Sequence, residues 1–263
     1  MRVSYVELKE HCKKVFRAKG IPVGCDEDGA DVVAWGEFIG LSALAALYEE
    51  VTEMQHTGMT GIKEVARDKD KVVFDANYQS ALVLGKLMAD YALGEIQSKK
   101  HIKVHVTNTT RSRLLAYPAY YVSNNNQGCI IFYRINGGLE RWIFAAPEIE
   151  FPVFAEGHEV EETILSVLKQ KVHYIPDKEM ADQEFLLICT EDTSIVTSCI
   201  RKLRNEVENK QIEMTEASRL RAEYQRSMFY GKEIDSQLWE KLKIIGQGTL
   251  VEATEESRQR GAG

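Results

Sequence analysis

Asn108, Thr109, Thr110, Arg111, Ser112 and Arg113 follow, one residue on, the apolar run IKVHV, residues 102–106. A carboxamide, three hydroxyls and two guanidiniums at the end of a strand suit recognition of an anion. The fork of an arginine matches a carboxylate with two parallel donors. The same residues also suit a solvated connection, and the spacing does not choose between the two. Tyr117, Tyr120 and Tyr121 follow. Tyr117 and Tyr121 are the weak candidates there for supplying a proton, against the alternative that these rings pack in a core. Asn136, Gly137 and Gly138 form a second spot where backbone could approach a cofactor, or simply turn between two strands.

Other constellations carry less. His101 and His105 lie four apart on HIKVHV, which puts them on one face of a strand, with no acidic or cysteine ligand beside them in sequence. No metal site is expected. Cys12, Cys25, Cys129, Cys189 and Cys199 are scattered and never form a C-x-x-C pair, the pattern of reduced thiols in a cytoplasmic protein. No G-x-G-x-x-G, P-loop or G-x-S-x-G occurs. A net charge of −7 argues against a nucleic-acid partner, which needs a basic face. No uncharged apolar run reaches 18 residues, and the opening MRVSYVELKE turns polar within a few positions. Neither a membrane span nor a secretory signal is expected.

The elements that must hold these residues are legible by periodicity. The 263 residues, 44% hydrophobic and 28% charged, can bury one large core or two small ones. Ser4 and Glu7 make a capping box, and Leu8, Cys12, Val15 and Phe16 then recur at helical spacing as far as Gly20, which suits a left-handed cap. A second helix runs through Trp35 and Phe38 to a break at Gly40, and Ser42 is placed to cap a third. VVF at 72–74, IKVHV, CIIFYRI and EFLLIC read as strands, whereas residues 80–97 and 159–170 read as amphipathic helices. Three more helices are expected near 194–209, 215–230 and 235–245, and the end of the tail at 252–263 is expected to be mobile. The expected parts are a helical 1–69, an α/β sheet domain 70–190 and a helical 191–263.

The order of these features resembles the malate/L-lactate/sulfolactate dehydrogenase family, whose nicotinamide-binding domain is not a Rossmann fold. That family opens with a capped helix similar to SYVELKEHCKKVFRAKGIP. An extended element like VVFDA (72–76) and a long helix like SALVLGKLMADYALGEIQSKK follow. Its N-S-x-H-F-G…Y-Y loop is similar to VTNTTRSRLLAYPAYYVSNNNQG through Asn108, Thr109, Tyr120 and Gly128. Gly137, Gly138, Pro147 and Pro152 resemble its Gly-Gly turn and N-P…P stretch. EFLLICTED with IRKLRNEV, and then SRLRAEYQRSMFYGKEID, look like its returning strand and its C-terminal helices. The likeness covers most of 4–154 and 184–245 at low identity. The closing EATEESRQRGAG is similar to that of a small uncharacterised bacterial subfamily with the same outline.

The resemblance implies a mixed α/β fold, with helical N- and C-terminal segments packed together and a largely antiparallel sheet domain inserted between them. It also implies a homodimer and NAD(P). The family's proton-donating histidine sits in a D-S-H-G turn, but Gly36 to Leu47 contain no histidine. Its second histidine falls at or beside Arg111. Residues 153–183 lack its Asp-Met-Ala-Thr-Ser and glycine-rich landmarks. The expectation is a diverged, shortened relative that binds a carboxylate metabolite through Asn108, Arg111 and Arg113, with hydride transfer in doubt. The alternative is an inactive scaffold or partner subunit.

Overall fold

The computed structural model describes residues 1–53, 59–110, 114–135, 138–175 and 180–248. Arg111, Arg113, Asn136, Gly137 and the tail at 252–263 therefore lie outside the described residues.

In chain order the elements are β1 (Arg2–Val3), α1 (Tyr5–Ala18), α2 (Cys25–Phe38), α3 (Ala43–Glu53), β2 (Lys63–Arg67) and β3 (Lys71–Asp75). Then come α4 (Ala81–Ile96), β4 (His101–Thr107), α5 (Ala116–Asn124), β5 (Gly128–Ile135), β6 (Leu139–Ala145) and β7 (Val153–Gly157). The chain continues through α6 (Val160–Val172), β8 (Phe185–Thr190), α7 (Ser194–Glu206), β9 (Ile212–Thr215), α8 (Ala217–Tyr230), β10 (Lys232–Glu233) and α9 (Ser236–Gln247).

Eight strands form one sheet in the order β2-β3-β4-β8-β5-β6-β7-β9, in which only the β3–β4 pair is parallel. The mixed, largely antiparallel α/β architecture expected from the sequence is thus present. Side chains alternate between the two faces along each strand. Lys71, Lys103, His105, Leu186, Phe132 and Trp142 share one face by register. That face carries α6 and α7: the Trp142 ring meets Tyr174 edge-on, and a Cβ on Gly128 would touch Val196. Phe74 and Val106 point the other way, where Phe74 meets Tyr91 of α4. α5 packs on α4 so closely that a Cβ at Gly85 would sit 2.8 Å from Pro118.

The N-terminal and C-terminal helices form a second core. Leu8, Cys12, Val15 and Phe16 of α1 are fully buried, as their spacing predicts, among Val33, Phe38, Leu44, Leu47 and Leu242. The capping box forms in both directions, and Gly20 takes the left-handed conformation with φ 74°. β1 pairs with β10, and the N-terminal ammonium donates to the Ile234 carbonyl at 2.8 Å, so the two ends of the described chain are tied together. Tyr5, Tyr117 and Tyr224 pack against both cores.

Several local expectations are corrected. Residues 116–124 form α5 rather than a loop, because Tyr117 and Tyr120 find a stacking surface on Trp35. Ser42 is itself left-handed (φ 52°), and the Glu37 carboxylate instead takes the Leu44 N–H at the start of α3. No helix among the described residues is long and apolar enough to cross a membrane.

Candidate functional site

In open α/β sheets, ligands bind in the crevice outside the carboxyl ends of parallel strands, where loops and helix N-termini converge. The β3–β4 pair ends in register at Asp75 and Thr107. Beyond it the chain is tightly tied. Ala76 N donates to the Thr107 carbonyl (2.9 Å) and Tyr78 N to the Asn108 carbonyl (2.6 Å). Three non-glycine residues here are left-handed: Asn77 (φ 49°), Tyr78 (φ 58°) and Asn108 (φ 52°). Each costs about 1 kcal/mol or more, least for asparagine, and such strain concentrates where function constrains the backbone.

Asp75 organises this turn. Its Oδ1 accepts from Asn77 N at 2.9 Å and from Asn108 Nδ2 at 3.1 Å. The Asn77 amide, and after it the Asn108 amide, hold the Asp75 carboxyl below the usual carboxylate range. Thr60 lies across the top, its carbonyl accepting from Gln79 Nε2 at 3.0 Å. Gln79 is buried, and among the described residues its Oε1 has no hydrogen-bond partner.

Glu50 of α3 forms the floor. Its buried Oε1 accepts from Thr110 Oγ1 at 2.7 Å and from Ser80 Oγ. Thr110 is held three ways: it also accepts from Ala81 N at the start of α4 (3.0 Å), and its own N–H donates to the Gln79 carbonyl (3.1 Å). An acid beside a helix N-terminus is favourably placed. Asp75, Asn108, Ser80, Thr110 and Glu50 therefore make a stiff polar framework. Glu50 and Asp75 are its described carboxylates.

Only part of the predicted set comes together here. Asn108 is in the framework, whereas Arg111 and Arg113 lie outside the described residues. Tyr117 and Tyr121 hang from α5 toward α2 and α4. Tyr117 meets Trp35 edge-on at 5.7 Å, and Lys86 Nζ sits 3.7 Å over the Tyr121 ring. Burial, then Asp31, pushes the Tyr117 hydroxyl well above the ordinary phenol range, which suits a packed ring better than a proton donor. Glu50, Ser80 and Asp75 escaped sequence reasoning. Glu50 stands 60 positions from Thr110, and no local pattern marks it. The one available signal was the polar NYQS between a strand and a helix.

The described histidines have other partners or settings. His101 bonds Asp70, His105 bonds Glu184, His11 stacks on Trp239, His158 is exposed, and His173 caps α6 in the left-handed conformation. His56 lies outside the described residues. Among the described residues no three His, Cys, Asp or Glu side chains converge as metal ligands.

A dinucleotide needs room for its pyrophosphate, commonly at a helix N-terminus with free amides. In the interval between β7 and β8, α6 starts with such amides, but Glu161 N already donates to Glu140 Oε2 at 2.8 Å. Burial, opposed by that bond, raises the Glu140 carboxyl. Gly138 (φ 78°) turns between β5 and β6, and a Cβ there would meet nothing within 4 Å, so its surroundings are open and form no cradle. Asn136 and Gly137 lie outside the described residues. Neither the start of α6 nor the Gly138 turn, as described, offers a ready cradle for a pyrophosphate.

Comparison with known proteins supports the fold. A family model described as a protein of unknown function, DUF3726, matches residues 3–77. No curated protein matches. Among solved structures, the chain is similar to a dehydrogenase from Sinorhizobium meliloti (12% identity, TM-score 0.66, 94% of this chain and 99% of that one). It is similar to malate dehydrogenase from Pyrococcus horikoshii OT3 (13%, 0.66, 96% and 96%). It is also similar to sulfolactate dehydrogenase from Methanocaldococcus jannaschii (14%, 0.62, 93% and 96%). The chain has the fold of malate/lactate/sulfolactate-type dehydrogenases at low sequence identity.

Proposed function

We propose that this protein is a diverged, trimmed member of that dehydrogenase group that binds a small carboxylate-bearing metabolite at the carboxyl ends of β3 and β4. NAD(P)-dependent hydride transfer is not part of the proposal. The observation that carries the reading is the threefold anchoring of Thr110. The next residue in sequence is Arg111, and Arg113 follows two later. Both guanidiniums thus come within three positions of a fixed point in the chain. Arginine is the residue type that pairs with a carboxylate through two parallel hydrogen bonds, and Asn108 adds a pre-oriented amide.

Reducing a 2-oxo acid requires a hydride and a proton for the developing alkoxide. Arginine stays charged and does not supply that proton, and losing a positioned donor costs ~10²–10⁴ in rate. The histidine-free stretch Gly36–Leu47, Arg111 at or beside the family's second histidine, and the occupied start of α6 all favour binding without reduction. The five cysteines are unpaired and four are buried, in keeping with a cytoplasmic setting.

The second reading is a scaffold or partner subunit. It is favoured by an exposed apolar patch in which Val6, Met228, Phe229 and Tyr230 stand together beside β1 and β10. A patch of this kind fits a homodimer interface.

A thermal-shift screen against NADH, NADPH and a panel of 2-oxo acids separates the readings. Stabilisation by a 2-oxo acid, lost in Arg111→Ala, supports the proposal. Indifference to every ligand favours the scaffold, and stabilisation by a nicotinamide restores the enzyme. For the patch, sedimentation of Phe229→Glu is expected to show a monomer where the native protein is dimeric.

A further inference from the structure

A cavity of about 320 Å³ opens beyond the C-terminus of α6, over the face of β3, β4 and β8 that carries Lys71, Lys103 and His105. It lies apart from the crevice at the carboxyl ends, and a ligand bound in it is independent of the function proposed for that crevice. Its apolar lining is Ile175, Met180 and Leu186; its polar lining is Asp68, Asp70, Lys71, Lys103, His105 and His173.

The polar lining is held in place. Lys103 is buried, and its ammonium is saturated by Asp70 Oδ2 (3.0 Å), the Val172 carbonyl (3.0 Å) and the His173 carbonyl (3.3 Å). It thereby fixes the end of α6 and places His173 at the rim. His105 Nε2 is engaged by Glu184 at 3.0 Å. Asp70 is shared with His101 at 2.8 Å, and Asp68 turns its carboxylate to Lys69 N at 2.7 Å.

Lys71 is the exception. It stands in register beside Lys103 on the neighbouring strand, about 5 Å away on the same face. Among the described residues its ammonium has no carboxylate partner, and the His173 ring makes no hydrogen bond. Among the described residues these two groups thus have no acceptor, and the apolar lining lies in the same cavity. The volume accommodates on the order of ten non-hydrogen atoms at roughly 30 Å³ each, the share of a water in the liquid, and it falls at the lower end of small-molecule sites.

We propose that this cavity binds a small organic acid with an apolar body, its carboxylate held by Lys71 and His173 and its body against Ile175, Met180 and Leu186. The probe is 4-phenylbutyrate, titrated into the full-length protein while the histidine ring signals are followed by NMR. The expected result is saturable movement of the His105 and His173 signals. Affinity falls at least tenfold for the uncharged 4-phenyl-1-butanol and at least tenfold in Lys71→Gln, whose melting is unchanged because that side chain is only half-buried. Met180→Trp, which fills the cavity, abolishes the response. Still histidine signals, equal affinity for the alcohol, or native affinity in Lys71→Gln or Met180→Trp overturns the proposal. Arg111→Ala leaves this binding intact, and its loss in that variant would place the probe in the other crevice and overturn the assignment.

Discussion

His11 of α1 lies face to face on Trp239 of α9, ring centroids 3.8 Å apart and planes within 11°. The contact joins the first helix to the last. Among the described residues the buried His11 Nε2 has no hydrogen-bond partner, and burial, opposed by the Trp239 backbone, lowers the imidazole from its usual 6.5 to about 4. The unfolded chain therefore binds a proton near pH 6.5 that the folded one refuses until about pH 4. The stability this site contributes is complete above pH 6.5 and is lost as pH falls from 6.5 toward 4. The loss is about 2 kcal/mol once partial solvent access is allowed for. Urea unfolding at pH 7, 5.5 and 4 checks it: His11→Phe keeps the stack and shows a smaller acid loss than the native protein.

Asn108 separates backbone strain from recognition. Asn108→Gly keeps the left-handed turn and removes only the amide to Asp75, so stability stays within about 1 kcal/mol while carboxylate binding weakens. Asn108→Val forces a β-branched residue to positive φ and costs about 2 kcal/mol or more. Equal stability of the two variants by chemical denaturation would contradict the left-handed backbone at this position.

Glu50 gathers two hydroxyls at the floor of the crevice. Glu50→Ala leaves Ser80 and Thr110 without their acceptor and lowers stability by about 2–4 kcal/mol. In a double-mutant cycle with Thr110→Val, the two changes are expected to be non-additive by about 1 kcal/mol or more. Strict additivity would show that the Glu50–Thr110 bond contributes nothing.

Gly157 marks the close approach of β7 and β9. A Cβ there would stand 2.5 Å from the Gln211 carbonyl oxygen. Gly157→Ala must push the edge strand away, at a cost of about 2 kcal/mol. Hydrogen exchange is expected to speed up first at residues 212–215, with β5 and β8 unaffected.

Much of the local structure was legible. The helix at 80–97 appears as Ala81–Ile96, the strand at EFLLIC as Phe185–Thr190, and the C-terminal helices as Ser194–Glu206, Ala217–Tyr230 and Ser236–Gln247. Two-residue strands such as β1 and β10 have no periodicity to read, and α5 was hidden because its tyrosines and proline resemble loop composition. Asn108 could be named because a carboxamide after a strand suits recognition and matches the loop of the resembling family, not because its left-handed turn was read. Glu50 could not, since nothing near it in sequence announces its partners.

The sequence by itself determined most of the longer helices and strands and the faces they bury, because caps and hydrophobic periods act over three or four residues. Only the tertiary structure decided that Lys103 would hold the end of α6, that His105 would meet Glu184, and that Met1 would reach Ile234. These partners lie 69, 79 and 233 positions apart. The entropy of closing a loop grows only logarithmically with its length, so separation along the chain says almost nothing about which distant groups meet. That choice falls to the packing of the whole sheet and its helices.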